Sequence, residues 1–108
     1  MAQPLEVDCR TFAAWRAAGQ ALVLLDVRED WERQLVSLPD SLGIPMQQVP
    51  ARLGELPADG KLVVLCHHGA RSLRVVQFLR ERGFDGAINL AGGIDAYARA
   101  VDPGLPTY

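Results

Sequence analysis

The chain has 108 residues, 49% of them hydrophobic, with 11 basic side chains against 13 acidic ones. That length fits one compact domain over residues 1–108, and the apolar fraction can build a core without disulfide staples. A net charge of −2 with no long run of either sign argues against a nucleic-acid or anionic-membrane binder.

The opening segment, Met1 to Glu6, has no basic stretch followed by an apolar one, so no secretory signal is expected. Asp8 caps an expected helix from Cys9 to Ala18, with Phe12 and Trp15 on one face and Gly19 at its end. The continuous apolar run Leu22 to Val27 reads as a strand covered on both faces. Glu29 to Leu35 forms a short helix, and Leu42-Gly43-Ile44 a short strand. Pro50 suits the first turn of a helix that puts Val49, Leu53 and Leu56 on one side. Lys61 to Cys66 is the second buried strand. A helix from Ala70 to Arg82 places Ser72, Val75, Val76 and Leu79 on one face. Gly83 takes a left-handed stop, and Phe84 folds back onto Leu79. A strand at Ala87 to Asn89 and a helix starting near Ile94, burying Ile94, Tyr97, Ala98 and Val101, complete the chain before Pro103. Alternating strands and helices predict an α/β domain built on a small parallel sheet with helices on both faces.

The apolar runs are strand-sized, so no membrane span is expected. Cys9 and Cys66 form no C-x-x-C pair and are expected as free thiols, with the cytoplasm as compartment. No G-x-G-x-x-G or Walker-type loop occurs, and no cofactor is expected.

The chemistry-bearing segment is Cys66-His67-His68-Gly69-Ala70-Arg71-Ser72. It lies between a buried strand and an amphipathic helix, at the carboxyl end of the strand, where open α/β sheets place ligands. A glycine-containing loop of this length can turn successive amides toward one centre at a helix N-terminus. Converging amides, the helix dipole and Arg71 favour thiolate over thiol at Cys66.

Three motifs carry a family resemblance. Asp26-Val27-Arg28-Glu29 resembles the D-V-R-E motif of rhodaneses, Cys66 to Ser72 is similar to their C-x-x-G-x-R-S loop, and Gly83-Phe84 with Leu90 to Tyr97 resembles their closing G-F…L-x-G-G-x-x-A-W/Y pattern. The resemblance runs from about Leu5 onward and implies a rhodanese-like fold and sulfur transfer. It implies that Cys66 takes the outer sulfur of a donor such as thiosulfate, becomes a persulfide, and passes the sulfur to a thiol or cyanide. It also implies that the amides from His67 to Ser72 hold the terminal sulfur. The alternative is a sulfur-relay or regulatory module receiving persulfide from a protein partner. Phosphatases with a cysteine nucleophile use a C-x5-R loop, whereas four residues separate Cys66 from Arg71 here. That smaller cradle suits a single sulfur atom, and the family's phosphatase-like branch carries the longer loop.

One stretch departs from the pattern. Rhodaneses usually read G-H-I-P-G-A where this chain has Val36-Ser37-Leu38-Pro39-Asp40-Ser41, so Asp40 replaces a glycine and a tight turn is expected to be remodelled. Asp26 and Arg28 are read as supports, with Asp26 accepting loop amides and Arg28 pairing with a carboxylate such as Glu32. Cys66, His67 and His68 are too close in sequence to aim three ligands at one metal ion, so no metal is expected. Gly92 and Gly93 are read as a bend that lets the last helix pack under the sheet.

Overall fold

The computed structural model describes residues 4–108. Its order is β1 (Glu6–Val7), α1 (Cys9–Ala17), β2 (Leu22–Asp26), α2 (Asp30–Leu35), β3 (Ser41–Gly43), a 3-10 segment (Met46–Glu55), β4 (Lys61–Leu65), α3 (Ala70–Glu81), β5 (Ala87–Leu90) and α4 (Gly93–Ala100). The five strands form one sheet in the order β1-β5-β4-β2-β3. Every pairing is parallel.

Local chemistry explains the boundaries. The Asp8 carboxylate accepts the Thr11 amide at 2.7 Å and so starts α1. Glu29 and Glu32 form a reciprocal capping box that starts α2. Gly83, at φ 93°, ends α3, and the Phe84 amide bonds the Leu79 carbonyl at 3.0 Å.

Each central strand is apolar on both sides because each face has its own core. Leu25, Val27, Leu62 and Val64 pack with Val49 of the 3-10 segment and with Val75, Val76 and Leu79 of α3. Leu24, Val63, Leu65 and Ile88 pack with Phe12 of α1 and Ile94 of α4. The expected parallel α/β sheet with helices on both faces is therefore the observed one.

Two details differ from the sequence reading, and a third concerns the departing stretch. Residues 46–55 form a 3-10 segment that contains Pro50 and has a non-helical Arg52, not a helix opening at Pro50. β1 was not foreseen. It is two residues long and exists through its pairing with β5. Asp40 adopts φ 58°, in the left-handed region that favours glycine. Aspartate tolerates that region better than most side chains.

The chain leaving β2 moves to β3 on one side of the sheet, and the chain leaving β4 moves to β5 on the other. A crevice opens between the carboxyl ends of two such neighbouring strands. The register aligns Asp26 with Leu65, which puts Val27-Arg28 and Cys66 side by side at that crevice. Among the described residues no helix is long and apolar enough to cross a membrane.

Candidate active site

Cys66 follows the last residue of β4 and is buried, 1% exposed. Its Sγ accepts the Gly69 amide at 3.1 Å and the Ser72 amide at 3.4 Å, and the Ser72 Oγ lies at 3.2 Å. The loop can turn its amides inward because Gly69 sits at φ 103°, and a Cβ there would come within 3.1 Å of the Gly92 nitrogen. Two amides and a hydroxyl thus meet at the sulfur.

Ser72 is itself held from behind. Its Oγ donates to Asn89 Oδ1 at 2.5 Å, while Asn89 Nδ2 donates to the Gly69 carbonyl at 3.1 Å and to Glu6 Oε2 at 2.8 Å. A hydroxyl has one proton, so Ser72 serves either Asn89 or the sulfur at a given moment. Asn89 was missed by the sequence reading. The signal for it was a polar side chain at the end of an otherwise apolar strand.

The loop backbone is clamped by α4. The Ile94 and Asp95 amides donate to the Cys66 and His67 carbonyls at 2.9 and 3.1 Å. Gly93, at φ 64°, passes so close that a Cβ would lie 2.4 Å from the Cys66 carbonyl oxygen. The Gly92-Gly93 bend therefore does more than let a helix pack, because it delivers two amides to the loop that carries Cys66.

Arg71 does not bond the sulfur. Its Nη1 and Nη2 donate to Glu32 Oε1 and Oε2 at 2.7 and 2.9 Å, a bidentate pair. Glu32 also accepts the Glu29 amide at 3.0 Å and the Tyr108 hydroxyl at 2.6 Å. The Arg71 guanidinium, working with Tyr108 against the cost of burial, pulls the Glu32 carboxyl down to about 2.

Arg28 does not take the Glu32 carboxylate. It is completely buried, and its Nε and Nη2 bond the Asp26 carboxylate at 3.0 and 2.7 Å. Nη2 also reaches the Val36 carbonyl at 2.7 Å, and Nη1 the Tyr108 hydroxyl at 3.1 Å. Asp26 accepts one nearby amide, that of Arg28, at 3.0 Å. The correction follows from geometry: Arg28 lies in the extended stretch before α2, alongside the Asp26 tip of β2, while Glu32 faces across to α3.

His67 and His68 stack at 3.9 Å between ring centroids. With Asp95 they bring ligand atoms within 4.8 Å of one another. Imidazole lone pairs lie in the ring plane, so stacked rings send them side by side instead of toward one ion, and Asp95 is bonded to Arg99 at 3.0 Å. Ala70 supplies the first residue of α3 and carries no further contact to the sulfur among the hydrogen bonds described. Cys9 is the other free thiol, buried beneath the Ala91 and Gly93 carbonyls. Burial, with Asp8 adding to it, pushes its thiol up, away from the reactive thiolate.

A parallel α/β sheet with a buried cysteine at a central strand tip, its sulfur met by loop amides at the switch-point crevice, defines the class of protein. The model of the rhodanese-like domain matches residues 7–100, and the chain belongs to that family, one of sulfurtransferases. A sulfurtransferase of Allochromatium vinosum is 36% identical, over 94% of this chain and 92% of its own. The adenylyltransferase and sulfurtransferase MOCS3 of Arabidopsis thaliana is 42% identical over 80% of this chain, but this chain spans only 22% of that protein. Of solved structures, the human single-domain sulfurtransferase TSTD1 superimposes with a TM-score of 0.79 at 26% identity, covering 91% of this chain and 98% of its own. A rhodanese-like domain protein from Staphylococcus aureus gives 0.84 at 27% identity, with 97% and 99% covered. Membership in this family supports enzyme status.

Proposed function

We propose that the protein transfers sulfane sulfur from a donor such as thiosulfate to cyanide or a thiol through a persulfide on Cys66. The observation that carries this reading is the cradle itself, with the Gly69 and Ser72 amides and the Ser72 hydroxyl turned toward Sγ. In the first half-reaction the Cys66 thiolate attacks the outer sulfur of thiosulfate. The S–S bond of the donor breaks, sulfite leaves with the electron pair, and Cys66 carries the persulfide anion. In the second, the acceptor attacks the outer sulfur, the new S–S bond breaks, and the thiolate returns as thiocyanate or an acceptor persulfide departs. Amides oriented before the donor arrives stabilise this charge at no reorganisation cost. His67 to Ser72 line the sulfur position, and Asp26 with Arg28 holds the neighbouring strand tip. Free thiols at Cys9 and Cys66 fit a reducing compartment such as the cytoplasm.

A second reading, relay from a protein-bound persulfide, draws support from Arg71. Its charge is already matched by Glu32, which leaves a small dianion less to bind at the mouth. The likeness to MOCS3 agrees with that reading.

Intact mass spectrometry after incubation with thiosulfate tests the proposal. One added sulfur atom is expected, removable by cyanide and mapping to Cys66. Full loading of Cys66→Ala, or the sulfur on Cys9, refutes it. Comparing loading rates from thiosulfate, a thiol persulfide and a persulfidated protein separates the two readings.

A further inference from the structure

We propose that Tyr108 is a positioning residue for the reactive loop, setting the mouth through which a sulfur donor approaches Cys66. The inference rests on Cys66 as the sulfur carrier. Tyr108 lies beyond α4 and yet touches groups from three parts of the site. Its ring lies parallel to that of His67, the residue after Cys66, with centroids 3.8 Å apart and planes 4° apart. Its hydroxyl donates to Glu32 at 2.6 Å and accepts from Arg28 at 3.1 Å. Trp31 of α2 closes its edge at 6.1 Å.

A ring needed only for packing has no use for a hydroxyl bonded in both senses. Here the hydroxyl completes the set of donors on Glu32, and Glu32 in turn fixes the plane of Arg71. The ring does the second job. It covers one face of His67 while His68 covers the other, and the His67 Nε2 is buried with no hydrogen-bond partner. A proton placed on that nitrogen would be stranded. The groups facing His67 are His68, Tyr108, Asp95 and Glu32; burial, then His68, depresses its pKa, and the two carboxylates and the Tyr108 backbone only partly offset them. His67 therefore stays neutral at pH 7, and the mouth gains no second cation.

Two variants of the full chain separate the two jobs. In Tyr108→Ala, His67 loses its cover, and its NMR titration should move up toward the ~6.5 of a free imidazole. Near pH 6 the variant then carries an imidazolium beside the sulfur. Its KM for thiosulfate should fall several-fold between pH 8 and pH 6, relative to the wild type over the same range. Tyr108→Phe keeps the stack, so its His67 titration should match the wild type. It loses the bond to Glu32, so its KM should rise about threefold with kcat little changed. A His67 titration that is the same in wild type and Tyr108→Ala overturns the proposal. So does an unaltered KM–pH relation in Tyr108→Ala together with wild-type KM in Tyr108→Phe. The titration needs no turnover, so it judges Tyr108 even if Cys66 takes no sulfur, a result that would instead refute the transfer mechanism.

Discussion

Four hydrogen bonds end on the Glu32 carboxylate, from Arg71 twice, the Glu29 amide and the Tyr108 hydroxyl. The side chain is almost wholly buried, so those donors stand in for water. They lower its pKa from 4.5 to about 2, with Arg71 the leading cause. A carboxyl whose folded pKa is depressed stabilises the fold fully above its unfolded pKa. That stability drains away as pH falls toward the folded value. We expect Glu32→Gln to cost about 2–3 kcal/mol at pH 7, and to flatten the stability profile between pH 4.5 and pH 2. Urea unfolding across that range checks it; equal slopes in variant and wild type would refute the role given to this carboxylate. The candidate loop from Cys66 to Ser72 could be picked out in the sequence because its residues are contiguous. The sequence reading paired Arg28 with Glu32 because the two are neighbours in the chain, whereas the real partner of Glu32 is 39 residues away. Tyr108 is further still, 76 residues from the carboxylate it bonds, and nothing local marks it.

At the scale of elements, α4 acts on the site through its first turn. Gly93 brings the Ile94 and Asp95 amides onto the carbonyls of Cys66 and His67. Gly93→Ala therefore combines an unfavourable φ with a backbone collision, because the added Cβ would meet two carbonyl oxygens at 2.4 and 2.5 Å. Gly19 is the control, since it also has positive φ, at 71°, but a Cβ there meets nothing within 4 Å. We expect Gly19→Ala to cost about 1 kcal/mol, the strain alone. Gly93→Ala should cost about 3 kcal/mol and slow sulfur loading of Cys66 at least tenfold. Equal destabilisation in the two variants, with unchanged loading, would mean that α4 does not hold the loop. Most elements could be read from sequence: α1, α3, β2 and β4 from a clear period or an unbroken apolar run, and α2, β3, β5 and α4 with their ends shifted by about one residue. Residues 46–55 escaped because Pro50 donates no backbone bond and the chain bends at Arg52, so one-sided apolar spacing there did not mean an α-helix. β1 escaped because two residues have no period, and only a partner strand makes them a strand.

For the whole molecule, the two cores share one sheet, and alternate residues of each strand serve opposite faces. In β4, Leu62 and Val64 belong to the core under α3, whereas Val63 and Leu65 belong to the core under α1 and α4. The continuous apolar runs announced this two-sided burial, but strand order is a property of the crossovers and was not visible in them. Sharing a sheet makes a definite thermodynamic demand. Val76, fully buried in one core, and Ile88, 3% exposed in the other, lie on opposite sides of it. The sheet lies between them, and they belong to separate core clusters with no shared apolar neighbours, so small cavities on the two sides do not merge. Val76→Ala should cost about 2 kcal/mol and Ile88→Val about 1 kcal/mol, each from lost burial plus a partly relaxed cavity. The double variant should lose the sum to within about 0.5 kcal/mol. It should also unfold in a single transition, since neither face can keep its strands when the other lets them go. Two transitions in urea, seen by tryptophan fluorescence and by far-ultraviolet circular dichroism at different midpoints, would show that the faces unfold separately. The cradle around Cys66 would then draw its rigidity from one face alone, and substitutions in the other core would leave sulfur loading untouched at denaturant concentrations that unfold it.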